Sequence, residues 1–63
     1  MKNTLVLEDF IDLHGASIIE EIEEVYSTTC GIVNAVYYID DMKFIFKIED
    51  GYIDENILVE KEK

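Results

Sequence analysis

Positions 20 to 24 of the chain are dominated by glutamate, because Glu20, Glu21, Glu23 and Glu24 fill all but one of them. If this segment is helical, carboxylates three or four residues apart are surface neighbours, about 5 to 6 Å apart at Cβ. That distance is comparable to the spacing of successive phosphates along one nucleic-acid strand. The spacing predicts either an acidic ridge that imitates a DNA backbone or, more plainly, a solvated helix face.

Acidity extends over the whole chain. Its 63 residues include 15 Asp and Glu against five Lys and no Arg, a formal net charge of −10, yet 49% of the residues are hydrophobic. Crowded like charge destabilises a compact state, so folding alone does not require it. We therefore expect a surface that recognises a basic partner, with Asp40 and Asp41 joining the four glutamates as contact residues.

Nucleophilic and metal chemistry have few candidates in this chain. It has one His and one Cys, His14 and Cys30, and neither has a second His or Cys with which to build a zinc site. The oxygen-rich segment 50 to 56 lacks the spacing of a calcium-binding EF-hand loop. We expect Cys30 to be a small buried apolar residue and His14 to lie at the carbonyl end of a helix. The sequence thus predicts no catalytic residue, metal site or cofactor, and a protein that is not an enzyme.

The glutamates need a helix to position them, and the surrounding pattern predicts one. Ser17 followed by Glu20 is a capping box, in which each side chain accepts a hydrogen bond from the other residue's backbone amide. The helix is then expected to start at Ile18 and to end at about residues 28 to 31, with Gly31 as a left-handed cap. Apolar residues at helical spacing form its buried stripe: Ile18, Ile19, Ile22, Val25 and Tyr26.

The N-terminal segment has two interpretations. Apolar residues recur at spacings of three and four, which predicts a short helix from about Leu5 to His14, closed by Gly15. The alternative is an edge strand from Thr4 to Glu8, because periodicity alone does not identify a short apolar run.

Residues 42 to 49 alternate strictly enough to predict a half-buried strand. With Asp40-Asp41 as a two-residue turn, four apolar pairs fall on one face of a hairpin. These pairs are Ile39 with Met42, Tyr37 with Phe44, Ala35 with Phe46 and Val33 with Ile48. A slip of one residue would move all of them to the opposite face, so the pattern predicts the register as well as the hairpin.

A third strand is expected after the turn dipeptide Asp50-Gly51, from Tyr52 to Glu60. Direct pairing across this turn would set Glu55 beside Phe46 on the core face, so we expect a bulge or a longer loop before Asn56. Residues 60 to 63 are expected to fray.

The other face of the hairpin is also partly apolar. The same register sets Val36 across from Ile45 and Tyr38 across from Lys43, and Leu58 could extend the group. Val36, Tyr38 and Ile45 therefore form a candidate patch for self-association or partner binding. Ordinary exposure of scattered apolar groups is the competing interpretation.

Together these elements predict one α+β domain over residues 1 to 63. Two N-terminal helices, the first short, are expected to pack on one face of a three-stranded antiparallel sheet in the order ααβββ. Four helix residues would cover the inner face of the hairpin: Ile18, Ile22, Val25 and Tyr26. The residues beneath them would be Tyr37, Ile39, Phe44, Phe46 and Ile48.

In size, acidity and helix-then-sheet order, the chain resembles small phage-encoded inhibitors that occupy the nucleic-acid site of a host enzyme, such as uracil-DNA glycosylase inhibitors and some anti-CRISPR proteins. The resemblance implies a non-enzymatic inhibitor from a phage or mobile element, acting in the bacterial host cytoplasm on a basic surface of a nucleic-acid-handling or defence protein. Direct nucleic-acid binding is disfavoured because Lys and Arg supply most of that affinity, and no apolar run is long enough to span a membrane.

The alternative function belongs to a different class. It is a small homo-oligomeric structural or regulatory module, such as a homodimer, that binds through the exposed apolar face of its sheet, with the acidity serving only solubility.

Overall fold

A computed structural model of the chain describes residues 2 to 61. They form two helices that share a core with one face of an antiparallel sheet. The elements in chain order are β1 (Lys2–Val6), α1 (Leu7–His14), α2 (Ser17–Tyr26), β2 (Ile32–Ile39), β3 (Met42–Glu49), β4 (Tyr52–Ile53) and β5 (Asn56–Lys61). The α+β class is confirmed, but the expected three strands are wrong, because the sheet has five.

The central hairpin has the register that the sequence predicts. β2 pairs with β3 so that Ile39 lies opposite Met42 and Val33 opposite Ile48. Asp40 and Asp41 form the two-residue turn with φ angles of 51° and 65°. Positive φ at both central residues is typical of the type I′ turn, whose twist matches that of the flanking strands.

The third strand is interrupted where the sequence predicts a bulge. β4 pairs Tyr52 with Glu49, whereas β5 pairs Leu58 with Ile45, so two extra residues lie between them. The Asp54 N–H donates to the Lys47 carbonyl at 2.8 Å, and the Asp54 Oδ1 accepts from the next strand's first amide at 2.9 Å. This looping-out keeps Glu55 exposed and returns apolar residues to the core face.

The N-terminal segment combines both interpretations of its sequence. Residues 2 to 6 form an edge strand that pairs antiparallel with β5, and the helix begins at Leu7 instead of Leu5. Pairing with β5 also explains why Glu60 and Lys61 are ordered in a strand and do not fray. Residues 62 and 63 of the expected tail lie outside the described residues. Gly15 ends α1 as expected, with a φ of 83° and its N–H donated to the Ile11 carbonyl at 2.7 Å.

Neither predicted cap of the second helix forms. α2 begins at Ser17 itself, and Ala16 is its N-cap, because the Glu20 N–H donates to the Ala16 carbonyl at 2.9 Å. That amide is the one that the Ser17 hydroxyl would have capped. Gly31 has a φ of 86°, but α2 ends at Tyr26, and Gly31 instead exchanges hydrogen bonds with Asp50 at the start of the hairpin.

The buried core draws on both layers. Its members are Phe10, Ile19, Ile22, Ala35, Phe44, Phe46, Ile48, Ile57 and Val59. The side of α2 that faces the core carries buried Ile19 and Ile22 and half-buried Tyr26. Val25, about 100° around the helix from Tyr26, is 62% exposed, so its predicted place in the core is wrong.

Candidate functional site

The two helices present a surface of one charge sign. α1 carries three acidic residues and α2 carries four, and neither helix contains Lys or Arg. We refer to Glu20, Glu21, Glu23 and Glu24 of α2 as the acidic ridge, and all four side chains are exposed. Helical neighbours of like charge repel. The ridge is thus an arrangement that an opposite charge would stabilise.

Helix α2, which carries the acidic ridge, lies toward strand β2. Phe10 of α1 packs edge-on against Phe44 and Phe46 of β3, with ring centroids 5.3 and 5.2 Å apart, so α1 covers the middle of the sheet. The second helix leads through residues 27 to 31 directly into β2. It therefore lies toward the β2 side of the sheet.

Two residues of α2, Glu21 and Tyr26, lie near Tyr37 of β2. Burial raises the pKa of the Tyr37 hydroxyl, and the nearby Glu21 carboxylate and Tyr26 raise that pKa further. Since Tyr37 is a residue of β2, Glu21 marks the flank of the acidic ridge that faces this strand.

Asp40 and Asp41 are exposed at the turn between β2 and β3. Asp40 lines a cleft together with Leu13 and His14 from the end of α1. The structure thus places these two aspartates at one end of the sheet, on a different element from the acidic ridge.

The outer face of the sheet, which points away from the helices, has a different character. Val36, Ile45 and Leu58 lie side by side on three adjacent strands, and Val36 and Leu58 are 43% and 38% exposed. In the next row the Lys43 Nζ lies 3.9 Å from a Glu60 carboxylate oxygen. The outer face therefore combines an apolar row with charges of both signs, including Lys47.

Tyr38 and Ile45 belong to this face as predicted, with Tyr38 64% exposed and Ile45 half-buried. The exposed apolar residues that the sequence analysis missed include Val25 on α2 and Ile32 at the start of β2. One sequence signal could have indicated them. Residues 25 to 39 contain no charged side chain, in a chain where 32% of residues are charged.

A cleft of about 320 Å³ lies between the C-terminal end of α1 and the sheet, near the lower limit for ligand pockets. His14 lines this cleft, and its ring packs tilted against Phe10 and edge-on against Phe44, with ring centroids 4.9 and 5.4 Å apart. Cys30 is exposed, which contradicts its predicted burial. It precedes β2 while His14 lies near the far end of that strand, so the two residues do not form a catalytic pair.

Two further properties concern residues 2 to 61 alone. Within that range no cluster of three or more His, Cys, Asp or Glu side chains has the geometry to hold a metal ion. Neither of the two helices found there is long and apolar enough to cross a lipid bilayer.

No known protein family, curated protein or solved structure matches this chain.

Proposed function

We propose that this chain is a non-enzymatic binding protein whose helix layer engages a basic surface on another protein. The observation that carries the proposal is that the helix layer carries charge of one sign, whereas the outer face of the sheet carries both signs. Seven acidic residues lie on the helices without a single Lys or Arg, whereas Lys43 and Lys47 lie on the outer face of the sheet. A coat that served solubility alone would not need this difference between the two faces.

Complementary charge gives such a protein a fast and selective encounter with its partner. The acidic ridge is the central contact in this proposal, and Asp40 and Asp41 extend it at one end of the sheet. A partner that normally binds phosphates offers the matching array of Lys and Arg. The proposal therefore includes a nucleic-acid-handling or defence protein as the target and a phage or mobile element as the source, with the bacterial cytoplasm as the place of action.

Capture from a bacterial lysate identifies the partner, and association kinetics then test the mechanism. We expect capture at about 0.05 M salt to weaken steeply by about 0.5 M, because the Debye length shortens over that range. With the purified partner, replacing the four glutamates of the acidic ridge by Gln should slow association at least tenfold.

A matched control removes the same number of charges outside the helix layer, through Glu49→Gln, Asp54→Asn, Glu55→Gln and Glu60→Gln. This variant should bind within threefold of the native chain. Equal slowing in both variants would mean that only net charge matters, and an association rate independent of salt would contradict the proposal.

A second candidate function is favoured by the apolar row on the outer face. In that case the protein is a homodimeric structural or regulatory module joined through Val36, Tyr38 and Ile45. The acidic helix layers of the two copies would then lie on opposite sides of the dimer, away from the interface. Sedimentation at increasing concentration tests it, because Ile45→Lys should then abolish a dimer that the native chain forms. A native chain that stays monomeric at high concentration removes this candidate.

A further inference from the structure

Strand β2 lies at one edge of the sheet and pairs only with β3 among the described strands. Its eight residues, Ile32–Ile39, contain no charged side chain, no Pro and no bulge. Proteins usually protect an exposed edge with charged side chains, Pro or bulges, because unpaired backbone groups are a template for another strand. The β2 edge is thus unprotected in a chain with a net charge of −10.

The hydrogen bonds at the start of β2 determine which backbone groups are free. The Asp50 N–H donates to the Gly31 carbonyl at 2.9 Å, so these two residues form a hydrogen-bonded pair. Such pairs alternate along an antiparallel ladder, and the odd-numbered residues of β2 therefore bond to β3. The even-numbered residues point their N–H and C=O groups away from the sheet, and these residues are Ile32, Asn34, Val36 and Tyr38.

The surroundings of the edge are both apolar and acidic. On the outer face, Ile32, Val36 and Tyr38 expose large apolar side chains. On the helix side, Glu21 lies near β2, and Val25, four residues further along α2, shares its flank of the helix. An added strand would therefore contact apolar groups on one face and lie near the Glu21 carboxylate on the other.

A second copy of the chain is a poor occupant of this edge. Pairing two β2 strands about a twofold axis normal to the sheet would place both helix layers on the same side. The two α2 helices, each with four glutamates and no Lys or Arg, would then lie next to each other. Like charges so placed repel, whereas a basic strand is attracted.

We propose that the β2 edge receives an extended segment of the partner protein as an additional strand, with Lys or Arg side chains facing α2 and apolar side chains facing outward. Main-chain hydrogen bonds to the four even-numbered residues would supply affinity, and the alternate side chains would supply specificity. The stems of Lys or Arg would cover Val25 while their charged ends reach Glu21. This inference rests on the proposed function and specifies how the basic partner is recognised.

A synthetic peptide tests the inference without knowledge of the partner. The probe is an acetylated, amidated octapeptide that alternates Val and Lys, and the readout is amide hydrogen exchange of the ¹⁵N-labelled full chain by NMR. We expect saturating peptide to slow exchange at least tenfold at the amides of Asn34, Val36 and Tyr38. The amides of Ala35 and Tyr37 already bond to β3 and should change little. Protection of β1 instead, or no binding, would overturn the inference.

Two controls separate strand addition from simple charge attraction. The same peptide with N-methyl groups on alternate residues keeps its charge but cannot form the ladder, and we expect it to bind at least tenfold more weakly. On the protein side, Val36→Pro removes one outward N–H without breaking a bond to β3, and Val36→Thr retains it. Only Val36→Pro should lose binding of the unmodified peptide. A dispersed NMR spectrum of this variant establishes that it is folded.

The outcomes also distinguish this inference from the proposed function. If the N-methylated peptide and Val36→Pro bind normally while Gln substitution of the acidic ridge abolishes binding, strand addition is wrong and charge-based recognition stands. If binding survives Gln substitution of the ridge but not N-methylation, the edge binds strands without help from the acids. That result would overturn the inference that the β2 edge selects a segment with Lys or Arg side chains.

Discussion

At the scale of single residues, Phe46 is the side chain on which both layers depend. It is fully buried and contacts Phe10 from the helix layer and Tyr37 from the neighbouring strand, with ring centroids 5.2 and 5.8 Å apart. Phe46→Ala should reduce the free energy of unfolding by about 3 to 5 kcal/mol. A domain of this size has only about 3 to 9 kcal/mol in total. Circular dichroism during urea titration should therefore show a largely unfolded variant.

Tyr52 provides the control for this substitution, because it is aromatic but 80% exposed. Tyr52→Ala should change the free energy of unfolding by no more than about 0.5 kcal/mol. A Phe46→Ala variant that melts like the native chain would show that the core is assigned incorrectly.

Tyr37 predicts how stability depends on alkaline pH. Because its pKa is raised in the folded state, by burial first and then by Glu21 and Tyr26, the unfolded chain loses this proton first as pH rises past about 10. The contribution is fully present below that pH and is lost as pH rises through the folded pKa. Urea unfolding at pH 9 and pH 11 should show a smaller loss of stability in Tyr37→Phe than in the native chain. An equal loss would contradict the assignment.

At the scale of elements, the turn between β3 and β4 is fixed against the end of α2. Gly51 has a φ of 87°, and a Cβ built there would lie 2.8 Å from the Ser27 carbonyl oxygen. Gly31 has a similar φ of 86° but has nothing within 4 Å of its Cβ position. Gly31→Ala should therefore cost about 1 to 2 kcal/mol for the left-handed conformation alone, and Gly51→Ala should cost clearly more.

Thermal unfolding of the two alanine variants measures this difference directly. Equal midpoints would mean that the α2 end does not pack on the turn. The comparison isolates the steric contact, since both substitutions carry the same backbone penalty.

The elements also differ in how far their sequences predict them. The hairpin was predicted to the residue, because alternation and a two-residue turn determine one register. The capping box predicted at Ser17 and Glu20 does not form, since the amide that it would have used is bonded to the Ala16 carbonyl as part of the helix itself. Val25 was assigned to the core because helical spacing defines a stripe, but only packing against the sheet determines which side of that stripe is covered.

At the scale of the whole molecule, net charge opposes folding. The chain has a formal charge of −10, and seven of its carboxylates lie on one layer. Raising the salt concentration from about 0.01 to 0.5 M should screen this repulsion and stabilise the fold by about 1 kcal/mol, which corresponds to a midpoint roughly 4 to 8 °C higher. The acidic-ridge Gln variant should be less sensitive to salt. A midpoint that falls or stays constant with added salt would contradict this account.

For the proposed contact residues, too, part of the description follows from local sequence and part only from the fold. Glu20, Glu21, Glu23 and Glu24 are identifiable from sequence because four acids in five positions on a helix are necessarily neighbours. That Glu21 lies near β2, and that β2 is at an open edge, depends on where each strand is placed in the sheet. Strand order is decided by contacts between distant parts of the chain, which local periodicity does not encode.

The sequence by itself determined the α+β class, the β2–β3 register, the second helix and the excess of acid, because each of these depends on residues within a few positions of one another. The tertiary structure alone decided that residues 2 to 6 pair with β5, that Val25 and Cys30 are exposed, and that β2 is left at an edge. It also decided that the acids of the two helices share one layer, whereas the outer face of the sheet carries charges of both signs. The physical reason is that a side chain's exposure and electrostatic surroundings are set by whichever distant segment packs against it.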